Sequence, residues 1–177
     1  MRAGSQVVVS DSTPQAGADS QYLTFTLGNE VFAIVLDQIK EIIEYSVVTQ
    51  VPLMPQFVHG VINLRGSVLP VIDLAIRFGR APTTVGRRTC VVVLNLDFGG
   101  EAHALGMLVD AVNEVIEIPA AQIEPAPSFG TPLRAEFIAG MGKVNGQFVI
   151  LLDVGHVLSL EEMSSLVSGG EAASGAG

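Results

Sequence analysis

Short apolar runs broken by turn residues dominate the chain. In Tyr22-Leu-Thr-Phe-Thr-Leu27 every second residue is apolar, Gly28-Asn29 follows, and Val31–Leu36 is apolar again. Alternation of period two around a Gly-Asn pair, which tolerates positive φ, predicts a β-hairpin. A second hairpin is predicted over Val58–Leu64 and Val68–Asp73 around Arg65-Gly66-Ser67. A third joins Cys90–Leu96 to Ala102–Val109 across Asp97-Phe98-Gly99-Gly100, and a fourth joins Phe137–Lys143 to Gln147–Leu152 across Asn145-Gly146. Short helices are expected at Leu74–Phe78 and at Val154–Leu166. Residues 1–20 and 168–177 are rich in Gly, Ala and Ser and read as flexible tails.

The pattern occurs twice. Asp37-Gln-Ile-Lys-Glu-Ile-Ile-Glu44 returns 73 positions later as Asp110-Ala-Val-Asn-Glu-Val-Ile-Glu117, and Gly60–Asp73 aligns without a gap on Gly140–Asp153, 80 positions on. Each half therefore reads hairpin, Asp-x-x-x-Glu segment, loop, hairpin. About five strands per half predict an all-β fold of two small curled sheets or barrels. The expected boundary lies in Gly79–Arg88, with one lobe over about 20–80 and the other over about 88–160.

Composition narrows the function classes. Hydrophobic residues make up 49% and charged residues 15%, acids outnumber bases 18 to 9, and the net charge is −9. An acidic chain without clustered Lys and Arg is a poor nucleic-acid ligand. A membrane helix needs about 20 consecutive apolar residues. The longest uncharged run, Tyr45–Leu64, is interrupted by Pro52, Pro55, Gly60 and Asn63. Met1–Ser20 lacks the apolar stretch of a signal peptide, and the single Cys90 permits no internal disulfide, so a soluble cytosolic protein is expected. Catalytic chemistry has little support. His59, His103 and His156 fit no metal spacing, Cys90 reads as a structural thiol, and Gly140-Met-Gly142-Lys-Val-Asn-Gly146 departs from a dinucleotide fingerprint because a strand follows it. No catalytic residue, cofactor or metal is expected, and a binding function leads.

Three residues and one stretch stand out. Arg65 sits at a hairpin tip where the repeat has Asn145; it is either a solvated turn residue or a forked donor for a carboxylate or an interface. An extended reading of Asp37–Glu44 places Glu41 on one face with Ile39 and Ile43, where a carboxylate needs a partner, and Arg65 is the candidate. A helical turn would leave Glu41 solvated; the extended reading is preferred. Phe129, in Glu124-Pro-Ala-Pro-Ser-Phe-Gly-Thr-Pro132, either pins that loop to the core or anchors an interface. Five of the nine bases fall between Arg65 and Arg88, where the only acid is Asp73, giving either a solvated linker or a positive docking edge.

The stretch Pro52-Leu-Met-Pro-Gln-Phe-Val-His-Gly-Val-Ile-Asn-Leu-Arg65-Gly-Ser-Val-Leu-Pro-Val-Ile-Asp73-Leu74, followed by Arg77-Phe-Gly79, resembles the most characteristic block of the CheW family of chemotaxis coupling proteins. Leu108–Val115 and Gly140-Met-Gly-Lys with Leu152-Asp153 resemble its later blocks, so the likeness covers about residues 20–166. It implies two SH3-like five-stranded β-barrels with short helices after each, a C-terminal helix over about 154–166, and an apolar groove between the barrels. It also implies a non-enzymatic adaptor, cytoplasmic and recruited to membrane receptor arrays. The partners implied are the cytoplasmic tips of chemoreceptors (methyl-accepting chemotaxis proteins) and the regulatory domain of the histidine kinase CheA. By the same resemblance, receptor contacts involve Arg65, Glu41, Ile39, Val91, Val112 and Val115, and Phe129 is the candidate kinase contact. Two alternatives remain: an adaptor of a pilus-motility or other chemosensory array, and a small all-β ligand-binding or enzymatic barrel.

Overall fold

A computed structural model describes residues 20–46, 48–98, 100–125, 133 and 135–158. The first hairpin pairs β1 (Ser20–Leu27) with β2 (Glu30–Val35). A three-residue 3-10 turn, Leu36–Gln38, leads into β3 (Ile39–Glu44). Next come the hairpin of β4 (Val58–Leu64) and β5 (Ser67–Asp73) and the helix α1 (Leu74–Arg77). The second half repeats the plan with β6 (Cys90–Phe98), β7 (Glu101–Val109), β8 (Ala111–Ile118), the two-residue β9 (Ile123–Glu124), β10 (Ile138–Val144), β11 (Gln147–Leu152) and α2 (Val154–Val157). All four predicted hairpins are present. The expected C-terminal helix is seen only as α2; the rest of 154–166 beyond Leu158, both tails and Phe129 lie outside the described residues.

The lobes, however, are not the contiguous halves that the repeat suggested. One sheet has the order β8-β1-β2-β11-β10, with β9 added beside β10; the other has the order β3-β6-β7-β5-β4. Each half thus lends its first hairpin to the sheet built from the other half's later strands. Equivalent strands occupy equivalent places, down to the single parallel join, β2 with β11 in the first sheet and β7 with β5 in the second. The chain crosses between sheets at Leu36–Gln38 and again at Asp110, so the repeated aspartates Asp37 and Asp110 mark the crossovers. Asp110 fixes its crossing by accepting from the Gly28 N–H (2.7 Å), while its own N–H donates to the Thr26 carbonyl (3.1 Å). Sequence pattern misplaced the lobe boundary because a hairpin apolar on both faces carries no mark of which sheet it joins.

That two-faced character has a direct cause in packing. Val91 and Val93 of β6 enter the interior of the second sheet with Ile62, Leu69, Val71 and Leu108. Val92, Leu94 and Leu96 of the same strand face the other way, into a layer shared with the first sheet. In β11, Val149 and Leu151 fill the first sheet's interior while Ile150 and Leu152 enter the shared layer. The shared layer is the largest of three apolar clusters, so the central strands are buried on both faces and read as near-continuous apolar runs. Through it runs an aromatic ladder of Phe25, Phe32, Phe78 and Phe137, with successive ring centroids 5.9, 5.6 and 5.8 Å apart.

The repeat also holds in fine geometry. Asp73 and Asp153 cap α1 and α2, and their N–H groups donate to the carbonyls of Phe57 (2.7 Å) and Phe137 (2.8 Å), residues also 80 positions apart. Asp73 is fully buried; its carboxylate accepts from the Ala75 N–H (3.0 Å), the Thr83 N–H (3.0 Å) and the Thr83 hydroxyl (2.9 Å), tying the linker to the second sheet. Asp153 is half-buried and accepts from the His156 N–H (3.1 Å), with the His156 ring 2.8 Å from its other oxygen. Removing a buried acceptor leaves several donors unpaired, whereas losing a half-exposed cap costs little more than the cap itself. Asp73→Ala is therefore expected to destabilise the protein by about 2–4 kcal/mol and Asp153→Ala by about 1 kcal/mol, measured by urea unfolding. Equal losses would contradict the asymmetry.

Candidate functional site: an apolar cleft with a charged wall

Residues opposite one another on paired strands project to the same face of the sheet. In the β3–β6 pair, Ile39 lies opposite Leu94 and Ile42 opposite Val92, both shared-layer residues; Glu41 lies opposite Val93 and Ile43 opposite Val91, both interior to the second sheet. A bulge between Ile39 and Glu41 makes this split. The segment is extended, as expected, and Glu41 shares a face with Ile43, but the bulge turns Ile39 to the other side. In the β8–β1 pair, Val112 lies opposite Phe25 and Val115 opposite Leu23, again shared-layer residues.

The edge strands β3 and β8 thus present Ile39, Ile42, Val112 and Val115 toward the gap between the sheets. Ile39 and Val112, and Ile42 and Val115, are repeat partners 73 positions apart. The inner pair packs on the shared core, while Ile42 and Val115 remain 41% and 46% exposed. Cys90, on β6 beside β3, receives a hydrogen bond from the Val112 backbone, which brings the two walls together at the floor of the cleft. Burial pushes the Cys90 thiol above its ordinary range, against that hydrogen bond, so it is a packed thiol rather than a nucleophile.

Of the expected contact residues, Ile39, Val112 and Val115 reach this cleft, and Val91 does not. Val91 is 1% exposed, and its side chain fills the interior of the second sheet, where it has no surface to offer. Ile42 was not singled out from the sequence, yet the 73-residue offset that pairs it with Val115 was the signal that would have found it.

Glu41 and Arg65 meet across the second sheet. Arg65 Nη2 lies 2.7 Å from each oxygen of the Glu41 carboxylate, with the side chains 65% and 24% exposed. Because β3 and β4 are the first and last strands of that sheet, the pair helps to close it into a barrel. Thr49 and Val61 exchange backbone hydrogen bonds of 2.9 and 2.8 Å along the same seam, and the Tyr45 hydroxyl meets His59 Nε2 at 2.9 Å. Gly60 is required there, since a Cβ would stand 2.4 Å from the Thr49 carbonyl oxygen. In the first sheet β9 provides the corresponding seam by pairing with β10, and the counterparts of Glu41 and Arg65 are Glu114 and Asn145.

Arg65 and Asn145 share one backbone conformation, with φ of 51° and 52°, each followed by a glycine at positive φ. Asparagine suits this left-handed position and arginine does not. The basic stretch is not one continuous edge, because two of its five bases turn inward. Arg77 is packed against the Phe57 and Phe137 rings, and Arg80 pairs with Glu30 beside Phe32 and Phe78; Arg87 and Arg88 are exposed. The histidines sit apart, His103 being 3.7 Å from Glu101, and no group of three His, Cys, Asp or Glu is placed to hold a metal among the described residues.

An all-β protein of two intertwined barrels, with a two-walled apolar cleft between them and an ion pair on one wall, belongs to the protein-binding class. The chain matches the CheW-like domain model over residues 21–162, and it belongs to that family. It is 40% identical to the chemotaxis protein CheW of Klebsiella aerogenes over 144 residues, 81% of this chain and 84% of that one. It is 30% identical to the probable chemotaxis protein CheW of Rhizobium etli, covering 81% and 90%. The fold matches the crystal structure of the scaffolding protein TtCheW from Thermoanaerobacter tengcongensis with a TM-score of 0.72 at 27% identity, over 85% of this chain and 94% of that one.

An exposed ion pair contributes about 0–1 kcal/mol, roughly the cost of holding a non-glycine residue in the left-handed region. Arg65→Asn should therefore leave the melting temperature unchanged or slightly raised, as followed by circular dichroism. A drop of many degrees would show that the arginine is kept for stability.

Proposed function

We propose that this protein is a non-enzymatic scaffold that couples chemoreceptors to the histidine kinase CheA in bacterial chemotaxis. The single observation that carries the reading is the cleft of repeat-paired Ile39/Val112 and Ile42/Val115 beside the Glu41–Arg65 pair. A strip of four aliphatic side chains between two rigid edge strands suits the apolar face of an amphipathic helix, such as the cytoplasmic tip of a receptor. Glu41 and Arg65 give that wall a polar landmark which orients the helix, since charges at the edge of an apolar contact fix register more than affinity. The kinase regulatory domain takes a separate surface, for which Phe129, outside the described residues, is the candidate contact. A role without chemistry of its own accords with the chain's CheW-like family membership and its match to a scaffolding protein. No described helix is long and apolar enough to cross a membrane. As a partner of receptor tips and kinase, the protein would act in the cytoplasm at receptor arrays.

Binding to a receptor-tip fragment, measured by titration calorimetry, tests the assignment. Ile42→Asp and Val115→Asp, both at exposed positions, should each weaken it by about tenfold or more, because a charge is desolvated at the centre of an apolar contact. Arg65→Glu should weaken the receptor without altering capture of the kinase, and Phe129→Ala should do the reverse. Unchanged receptor affinity in folded Ile42→Asp and Val115→Asp proteins would remove the cleft as the site.

A further inference from the structure

Arg77 occupies a place that the repeat can fill only once. Its guanidinium carbon lies 5.5 Å from the centroid of the Phe57 ring and 4.7 Å from that of Phe137, and these phenylalanines are repeat partners. Its Nε donates to the Val157 carbonyl at 2.7 Å, and Val157 is the repeat partner of Arg77 itself. Arg77 therefore sits on the pseudo-two-fold relation between the halves, where a single side chain serves both.

The groups it touches belong to different sheets. Phe57 precedes β4 of the second sheet and is held by the hydrogen bond from Asp73; Phe137 precedes β10 of the first and is held by that from Asp153. Val157 lies on α2, which follows β11 of the first sheet, while Arg77 ends α1, which follows β5 of the second. Apolar burial is non-directional and does not by itself select one angle between two sheets over a common core. A planar cation with a ring beside it from each sheet and a directed N–H defines one arrangement.

We infer that Arg77 is a positioning residue that fixes the angle between the two sheets, and with it the width of the cleft between β3 and β8. Its consequence for receptor binding rests on the function proposed above; its effect on geometry does not. Lysine keeps the charge but loses the plane and the Nε donor, and methionine keeps the length and apolar stem alone.

The test uses the full chain with Cys90 changed to serine and spin labels on cysteines introduced at Val68 and Phe148. These repeat partners are 69% and 56% exposed and lie one on each sheet. Pulsed electron paramagnetic resonance should give one narrow distance in the parent and a displaced, broadened distribution in Arg77→Lys and Arg77→Met. Val149→Ala, a cavity in the first sheet's own interior, serves as the control: it should lower the melting temperature and leave the distance unchanged. The inference is overturned if the folded Arg77 variants keep the parent distribution, or if Val149→Ala broadens it equally. Altered distances with unaltered receptor-tip affinity would sustain the inference and count against the cleft as the receptor site.

Discussion

Burial of the central strands on both faces is the constraint on which the rest of the structure depends. β1, β2, β5, β6, β7 and β11 each give alternate residues to their own barrel and to the shared layer. Neither sheet can therefore leave the other without exposing one complete face of its central strands, a large apolar area at about 25 cal/mol per Å². The exchange of first hairpins between the halves adds connectivity to that packing, since the chain must cross the shared layer at both repeated aspartates. The unusual composition follows: only edge strands, hairpin tips and loops have positions left for charge.

The cleft follows from the same arrangement. The shared layer is sealed where central strands face one another and thins out at β3 and β8, the outer strands that come after each crossover. Ile39 and Val112 still reach the core there, and Ile42 and Val115 no longer do. An apolar pair is left at the rim because the repeated pattern continues one step past the point where the other sheet can cover it. The two halves differ most at the adjacent seam, where Glu41 meets Arg65 in one and the counterpart residues are Glu114 and Asn145 in the other. An arginine in a backbone conformation suited to asparagine, held by an exposed ion pair of small energetic value, adds little net stability, which accords with the recognition role proposed for it.

Much of this was legible in the sequence, for identifiable reasons. Turn chemistry located the four hairpins, two at Gly-Asn and Asn-Gly pairs that favour positive φ and two at glycine-containing turns between apolar runs. The repeat aligned Asp73 with Asp153, though not their capping role, while period-two alternation and the cost of an unpaired carboxylate pointed to the extended Glu41 segment and its pairing with Arg65. Sheet membership was not legible, since a strand apolar on both faces pairs equally well in either barrel and only the three-dimensional crossover decides. Val91 was expected in the groove by resemblance alone; its neighbour Val92 faces the shared layer while Val91 faces inward, and a valine run carries nothing that would have corrected the expectation. The bases between Arg65 and Arg88 suggested a surface edge because sequence proximity conceals that Arg77 and Arg80 turn back onto the phenylalanine ladder.

In the proposed function, a partner helix docks at the rim of the shared layer, between β3 and β8. Methyl-resolved NMR during titration with a receptor-tip fragment tests it most directly. The methyl signals of Ile39, Ile42, Val112 and Val115 should shift together and saturate at one affinity, while Val149 and Leu151 inside the first barrel stay in place. Shifts confined to other surfaces, such as the β10–β11 tip near Val144, with the four cleft methyls unmoved, would contradict it.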